Sequence, residues 1–183
     1  HGTERRSAVA GAADEIRMIH SPESYAPFSV RTVASNGNVW DGKEDRSSIS
    51  RMPSTEELLE IGKGKGCVAE NILSVAHHFR YGEFDWFTGG DCQYIRRDQF
   101  DYLDIETPIA EVMGKVDGMK AGHHSTKGTN SSELLDVLKP DFVIAGTWKD
   151  IHPNHATAKR FFKSSPDIKF YATNLTDGAK TIL

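Results

Sequence analysis

The second half of the chain alternates short apolar segments with stretches that have helical spacing. Residues 142–145 form a continuous apolar run, which is typical of a strand covered on both faces. A helix pattern precedes this run at residues 131–138 and ends before Pro140, and another follows it at residues 155–162. Helices that alternate with such strands indicate a layered α/β domain, and this pattern restricts the fold more than any other feature of the sequence.

The remaining elements follow from periodicity and from turn residues. A capping box of Ser54 and Glu57 predicts a helix through Ile61. The spacing also predicts a helix face in residues 3–19, strands at 28–33, 71–79, 84–88, 119–122 and 168–172, a helix at 105–116, and a surface loop at 35–52. The run Gly62–Gly66 is interpreted as a connector, because it does not match the phosphate-binding pattern Gly-x-x-x-x-Gly-Lys-Ser/Thr.

Length and composition exclude several classes of protein. The 183 residues suit one domain, and no stretch approaches the roughly 20 consecutive apolar residues that a membrane-spanning helix needs. A net charge of −4 gives no support to binding along a nucleic-acid backbone. Two cysteines, Cys67 and Cys92, are too few for a disulfide framework. They fit a cytosolic protein, but a removed N-terminus would also have removed any export signal, so the compartment stays open.

Polar residues suited to chemistry follow three successive predicted strands. Asp91 comes after Gly89-Gly90, the pair His123-His124 follows the next strand, and His152 and His155 follow the third. In layered α/β proteins, sites form at the carboxyl edge of the sheet because the loops converge there. Imidazole and carboxylate together suit zinc, iron or another first-row transition metal. The sequence therefore predicts a shared metal-type site at this edge.

Simpler interpretations of single residues stand beside this one. An aspartate after two glycines is usually a turn or cap residue, and Cys92 is more simply a small buried side chain. His77 and His78 fall within one strand and point to opposite faces, so we interpret them as structural. A serine hydrolase built on Ser125 is disfavoured, because no Gly-x-Ser-x-Gly elbow is present.

Taken together, three motifs resemble the metallo-β-lactamase superfamily. They are Thr88-Gly89-Gly90-Asp91, Gly122-His123-His124-Ser125 and Ile151-His152-Pro153, in this order and separated by helices. The resemblance is greatest to the branch typified by the hydrolase domain of ComEC-type competence proteins. Asn71 and Ser74 match a further element of that branch. The motif-bearing part covers residues 67–175.

The resemblance implies an αβ/βα sandwich and a metal-dependent hydrolase. In that superfamily a metal-bound hydroxide, usually on zinc, attacks an ester, amide or phosphodiester. By position, Asp91 would bridge the metals, His123 would be a ligand with His124 as its competitor, and His152 would be a further ligand or stabilise developing charge. The resemblance implies substrate binding by Ser125, Lys127 and His155.

The most serious departure from the superfamily is a missing ligand motif. The ligand motif His-x-His-x-Asp-His does not occur, and the chain opens at His1 instead of Met. We therefore expect residues 1–183 to be a single partial domain, the C-terminal part of the sandwich, whose first ligand cluster lies upstream. The alternative is a degenerate relative that acts as a non-catalytic binding module. The expected partners are the upstream part of the same domain and a small-molecule or phosphodiester substrate, whereas nucleic acid has no support from the charge.

Overall fold

The structure is a computed structural model that describes residues 4–63, 70–95, 100–174 and 177–180. The strands are β1 (Phe28–Ser35), β2 (Asn38–Trp40), β3 (Ser48–Ser50), β4 (Ala76–Tyr81), β5 (Phe84–Thr88), β6 (Gly118–Lys120), β7 (Phe142–Ala145) and β8 (Lys169–Ala172). The helices are α1 (Thr55–Lys63), α2 (Glu106–Val112), α3 (Ser132–Leu138), α4 (His155–Ser164) and α5 (Asp177–Lys180). Among these described helices, none combines the length and apolar character needed to cross a membrane.

All eight strands belong to one mixed sheet in the order β3-β2-β1-β4-β5-β6-β7-β8. The strands from β3 to β5 pair antiparallel, and those from β5 to β8 pair parallel. Helices α2, α3 and α4 lie in the three connections between the parallel strands. The predicted α/β class is confirmed, and it follows from the helix that each parallel crossover requires.

The core lies between one face of the sheet and these three helices. Phe87, Met119 and Val143 are neighbours in register on adjacent strands, and all three are buried. The helices contribute the buried side chains Ile109, Leu134, Leu135, Leu138 and Phe161. Because α2 packs against α3 and α3 against α4, the helices form one continuous layer on this face.

The opposite face of the sheet carries aromatic and aliphatic side chains that remain partly exposed. Trp86 and Phe142 lie 5.7 Å apart, centroid to centroid, across Gly118. Ile144 is 41% exposed and Tyr171 is 55% exposed. The prediction that strand 142–145 is covered on both faces is therefore wrong, because helices cover only the Val143 side. Among the described residues, the helical layer therefore lies on one face of the sheet only.

The helix expected in residues 3–19 is not present in the described part of that range, residues 4–19. The Gly11 N–H donates to the Thr32 carbonyl at 2.8 Å, and the Thr32 N–H donates to the Ala12 carbonyl at 2.9 Å. The segment is thus held beside β1 by backbone pairing, and Ala10 and Ala12 are buried there. Long-range pairing overrides the local helical spacing.

The surface loop expected at residues 35–52 contains β2 and β3. Asn36 and Gly37 both have positive φ, 51° and 75°, and they join β1 to β2. Asn-Gly is the residue pair that favours such a tight hairpin, so the sequence signal was present but short.

Other boundaries shift by a few residues. Ser54 and Glu57 form the predicted capping box, with side chain–backbone bonds of 2.8 and 3.2 Å. The strand expected at 71–79 begins only at Ala76, because Glu70–Leu73 is a 3-10 turn, and the helix expected at 105–116 is the shorter α2. Cys67 and the end of the predicted connector, residues 64–66, lie outside the described residues.

The two adjacent histidines of β4 face opposite sides of the sheet, as predicted. His78 is the register partner of Phe87, and its Nε2 lies 2.6 Å from Oδ1 of Asp85. His77 is the register partner of Thr88 on the other face. The His78–Asp85 contact and the strand pairing of His77 both lie within the sheet, in accord with a structural role.

Gly118 offers a test of the open face. An alanine methyl group there would lie 2.4 Å from Cζ of Phe142, so the Gly118→Ala variant must displace that ring. We expect a loss of about 1–3 kcal/mol in the free energy of unfolding, measured by urea denaturation.

Gly114→Ala is the matched control, because no described atom lies within 4 Å of a methyl group at that position. Its effect should stay below about 1 kcal/mol in either direction. Equal stability of the two variants would show that Phe142 does not need the space above Gly118.

Candidate functional site

The carboxyl ends of β5, β6 and β7 bring the predicted site residues to one edge of the sheet. Asp91 follows β5, His123 and His124 follow β6, and His152 follows β7. The His123 N–H donates to the Gly90 carbonyl at 3.1 Å, which joins the first two loops. The rings of His124 and His152 are stacked, with centroids 5.5 Å apart and 14° between their planes, which joins the second loop to the third.

The loop that carries Asp91 is fixed by Ser74. Gly90 has a positive φ of 58°, and a Cβ at that position would lie 3.2 Å from both Cβ of Ser74 and the Val75 carbonyl oxygen. Glycine is therefore required there on both conformational and steric grounds. The Asp91 N–H donates to Oγ of Ser74 at 3.2 Å, and the carboxylate remains partly accessible to solvent.

The histidine pair lies in an unusual backbone conformation. His123, His124 and Ser125 have φ values of 42°, 57° and 60°, which places three consecutive residues with side chains in the left-handed region. Such a conformation costs about 1–2 kcal/mol for each residue that is not glycine. The turn therefore persists only because the surrounding structure holds it.

The loop that follows the turn is anchored by the buried carboxyl group of Glu106 on one side and by the half-buried guanidinium of Arg160 on the other. Glu106, 1% exposed, accepts the N–H groups of Asn130 and Ser131 at 2.7 and 2.6 Å. Arg160 donates to the carbonyls of Asn130 and Thr129 at 2.8 and 2.7 Å. The loop is thus fixed through its own peptide groups, and the carboxylate and the guanidinium each keep hydrogen-bond partners.

Hydrogen bonds define the protonation of the two histidine rings. Nδ1 of His124 lies 2.7 Å from the Gly146 carbonyl, which can only accept, so Nδ1 carries a proton and Nε2 is the nitrogen left for a ligand. Nδ1 of His123 lies 3.1 Å from Nδ2 of Asn71, and with the amide in this orientation Nδ1 accepts. A carbonyl bound to one ring nitrogen is the usual partner of a histidine whose other nitrogen binds a metal.

His152 is held as a neutral imidazole. Burial lowers its pKa first, and the nearby His124, Lys149 and His123 lower it further. Its ring also contacts Trp148, with centroids 5.0 Å apart and perpendicular planes. A neutral His152 can act as a ligand or a hydrogen-bond partner near neutral pH.

The three predicted substrate-binding residues lie in different environments. Ser125 is completely buried, so its hydroxyl does not reach the surface. Lys127 is exposed and lines a cavity of about 450 Å³ together with Tyr94 and Glu133. His155 is exposed in the first turn of α4, after the N-cap residue Asn154.

The predicted metal ligands form an incomplete donor set. Among the described residues, no group of three or more His, Cys, Asp or Glu is arranged to hold a metal ion. His124 has the tautomer that suits a metal, but Asp91, His123 and His124 do not make such a group. Cys92 is a small buried side chain, as the simpler interpretation predicts, and burial raises the pKa of its thiol. The described residues alone therefore do not fit a complete metal centre.

Sequence reasoning missed the residues that support the site. Glu106 reads as an ordinary acidic residue in the first turn of a helix, and its burial depends on partners 24 and 25 positions away. The sequence pattern of α4 predicts that Arg160 lies on its polar, solvent-facing side. Trp148 gave the one available signal, since a tryptophan between Ala145 and His152 is unusual in a surface loop.

Comparison with known proteins adds a weak structural similarity. The fold and the site define an α/β protein with a histidine-rich sheet edge. No family model and no curated protein sequence matches the chain. A solved structure described as the CmlA beta-hydroxylase E377D mutant is similar to it, with 15% sequence identity and a TM-score of 0.40. The alignment covers 81% of this chain and 30% of that chain, so this chain spans less than a third of that protein.

A similarity at this level does not define a family. Placement in the metallo-β-lactamase superfamily therefore rests on the motifs and remains an interpretation. The ComEC-type branch has no support from these comparisons.

Glu106 makes the stability of the protein depend on pH. Burial raises its pKa to about 7, an effect that the N–H groups of Ser131 and Asn130 partly offset and Asp104 reinforces. Between about pH 4.5 and pH 7 the folded state holds a proton that the unfolded chain has lost, so this contribution to stability falls as pH rises through that window. We expect the free energy of unfolding of the wild type, minus that of the Glu106→Gln variant, to fall from pH 4.5 to pH 7 and level off above it.

Urea denaturation at several pH values measures this difference. Glu111→Gln is the control, because Glu111 lies on the same helix with an exposed side chain. If the free energy of unfolding of the wild type, minus that of Glu106→Gln, stayed constant or rose between pH 4.5 and pH 7, the raised pKa of Glu106 would be contradicted.

Proposed function

We propose that this sheet edge is part of the active site of a metal-dependent hydrolase of the metallo-β-lactamase superfamily. The reaction would be attack of an activated water on an ester or phosphodiester. One observation carries the proposal: three neighbouring parallel strands end in loops that place Asp91, His123, His124 and His152 at the same edge. The carboxyl edge of parallel strands is where α/β enzymes build their sites.

The protonation of the site supports roles for individual residues. Nε2 of His124 is left for a ligand, since its Nδ1 proton is engaged by the Gly146 carbonyl. His152 is neutral at physiological pH and lies against the ring of His124. The partly accessible carboxylate of Asp91 completes an acid–base set of the kind that hydrolysis requires.

Zinc or another divalent transition metal is the proposed cofactor, with Asp91, His123 and His124 as ligands. The described residues do not complete its coordination, so further ligands must come from outside them. The resemblance assigns those ligands to the upstream part of the domain. What the described residues contribute by themselves is the half-buried Asp91 and imidazole rings of fixed orientation at the same sheet edge.

Local charge favours an anionic substrate over a neutral ester. Nζ of Lys120 donates to the Gly90 and Ala121 carbonyls at 3.4 and 3.2 Å, which places an ammonium group beside the Asp91 loop. Lys149 lies over the Trp148 ring on the other side of the histidines. These two ammonium groups near the sheet edge suit an anionic substrate, such as a phosphodiester of a small molecule.

A non-catalytic binding module is the second candidate. It is favoured by the incomplete donor set and by the aromatic cluster of His124, Trp148 and His152. Trp148 is 54% exposed, so the cluster offers an aromatic surface to a ligand without any need for turnover.

The open face of the sheet supports the proposed upstream partner. Tyr81, Phe84, Ile144 and Tyr171 are exposed large side chains on the face opposite the helices. A second sheet packed on this face would remove their apolar surface from water.

The zinc affinity of this chain tests the proposed ligand set. We expect isothermal titration with Zn²⁺ to give weak binding, because no group of three donors is present among the described residues. Asp91→Asn and His124→Ala should weaken it further. Tight binding of one zinc per chain would contradict the view that ligands are missing.

Hydrolysis tests the proposed function. With the proposed upstream part of the domain present and Zn²⁺ or Mn²⁺ in excess, we expect cleavage of a nitrophenyl phosphodiester, and an Asp91→Asn variant should lose about a hundredfold or more of that rate. The charge-matched control is Asp150→Asn, because Asp150 is exposed in the loop that carries His152.

Equal rates in Asp91→Asn and the wild type would remove Asp91 from the mechanism. If phosphodiesters, phosphomonoesters, carboxylic esters and lactams all bind saturably without turnover, the binding module is the correct function.

A further inference from the structure

The side chain of Asn130 bonds to both polar groups of Gly122, which begins the histidine turn, and Oγ1 of Thr129 also donates to the Gly122 carbonyl at 3.2 Å. The Gly122 N–H donates to Oδ1 of Asn130 at 2.8 Å, and Nδ2 of Asn130 donates to the Gly122 carbonyl at 3.1 Å. The Asn130 amide thus pairs with both polar groups of one residue, as a neighbouring strand would. Both residues are buried, so water does not replace these bonds.

The position of this pairing gives it consequences for the site. Gly122 directly precedes His123 and His124, whose left-handed conformation is unfavourable by itself. Two residues after Gly122, Nδ1 of His124 donates to the Gly146 carbonyl on the neighbouring loop. The peptide plane at Gly122 therefore sets the direction in which the two imidazole rings leave the sheet.

Asn130 is itself held from both sides of its backbone. Its N–H donates to Glu106, and its carbonyl accepts from Arg160. Its φ of 55° is also left-handed, a conformation that asparagine tolerates better than most residues. The backbone of Asn130 is thus fixed independently of the histidines, and its side chain transmits that fixed position to Gly122.

We infer that Asn130 is a positioning residue for the histidine turn: its amide fixes Gly122 and thereby the orientation and tautomer of His124. The inference rests on the proposed function only where it gives His124 a part in chemistry. The positioning itself is a property of the fold. No contact with a substrate is assigned to Asn130.

The test reads the tautomer of His124 directly. In long-range ¹H–¹⁵N spectra of the wild type, we expect His124 to show the single tautomer protonated at Nδ1. The Asn130→Gly variant removes the amide without adding strain, since glycine accepts a positive φ. We expect the signature of this single tautomer to be lost in that variant, while unfolding in urea remains cooperative.

Asn36→Gly is the matched control. Asn36 has a similar φ of 51° but an exposed side chain in the turn between β1 and β2. Its His124 spectrum should equal that of the wild type. An unchanged His124 tautomer in folded Asn130→Gly protein would overturn the inference.

A measurement on the unmodified protein covers the case in which Asn130→Gly does not fold. Hydrogen exchange of the Gly122 amide should be as slow as that of the central strand amides, because Asn130 accepts its proton. Exchange at the rate of an exposed amide would overturn the inference. Neither readout needs turnover, so a wild type that hydrolyses nothing contradicts the proposed function and leaves the positioning role standing.

Discussion

The buried carboxylate of Glu106 is the interaction on which the arrangement of the site depends. A buried carboxylate needs hydrogen-bond partners, and Glu106 finds them in two consecutive N–H groups of the loop after the histidine turn. The second of these residues, Ser131, is also the N-cap of α3, where its hydroxyl accepts the Leu134 N–H. One side chain at the start of α2 thus fixes a loop, the start of the next helix and, through Asn130, the residue before the histidines. Packing of the helical layer and geometry of the sheet edge are set by the same contact.

The sheet supplies the other half of the arrangement. Parallel pairing of β5, β6 and β7 brings three loops to one edge, and the stacking of His124 on His152 connects the last two loops. The edge combines the half-buried Asp91 with imidazole rings and nearby ammonium groups, and the proposed anionic substrate is chosen to match these cations. Whether the outcome is hydrolysis or binding depends on ligands additional to the described ones, since the described donors do not form a group that holds a metal.

Sequence patterns predicted the part of the fold that depends on local signals. The strand patterns at 84–88, 119–122 and 142–145 were sufficient to place Asp91, His123 and His152 after successive strands. Where tertiary contacts decide, the patterns failed: residues 4–19 have helical spacing but pair with Thr32 of β1. The sequence also could not show whether both faces of β7 are covered, because an apolar residue such as Ile144 gives the same strand pattern with or without a covering layer. The buried position of Glu106 was not predicted for a related reason, because its partners are 24 and 25 residues away in the sequence.

The left-handed histidines put stability and chemistry in conflict at two adjacent positions. Glycine at 123 or 124 would relax the backbone and raise the stability of the fold, yet it would remove an imidazole from the sheet edge. A search for more stable versions of this protein would therefore select changes at residues of the proposed site. Gains in stability that leave the site intact must be sought elsewhere, on the side of the sheet that faces away from the helices.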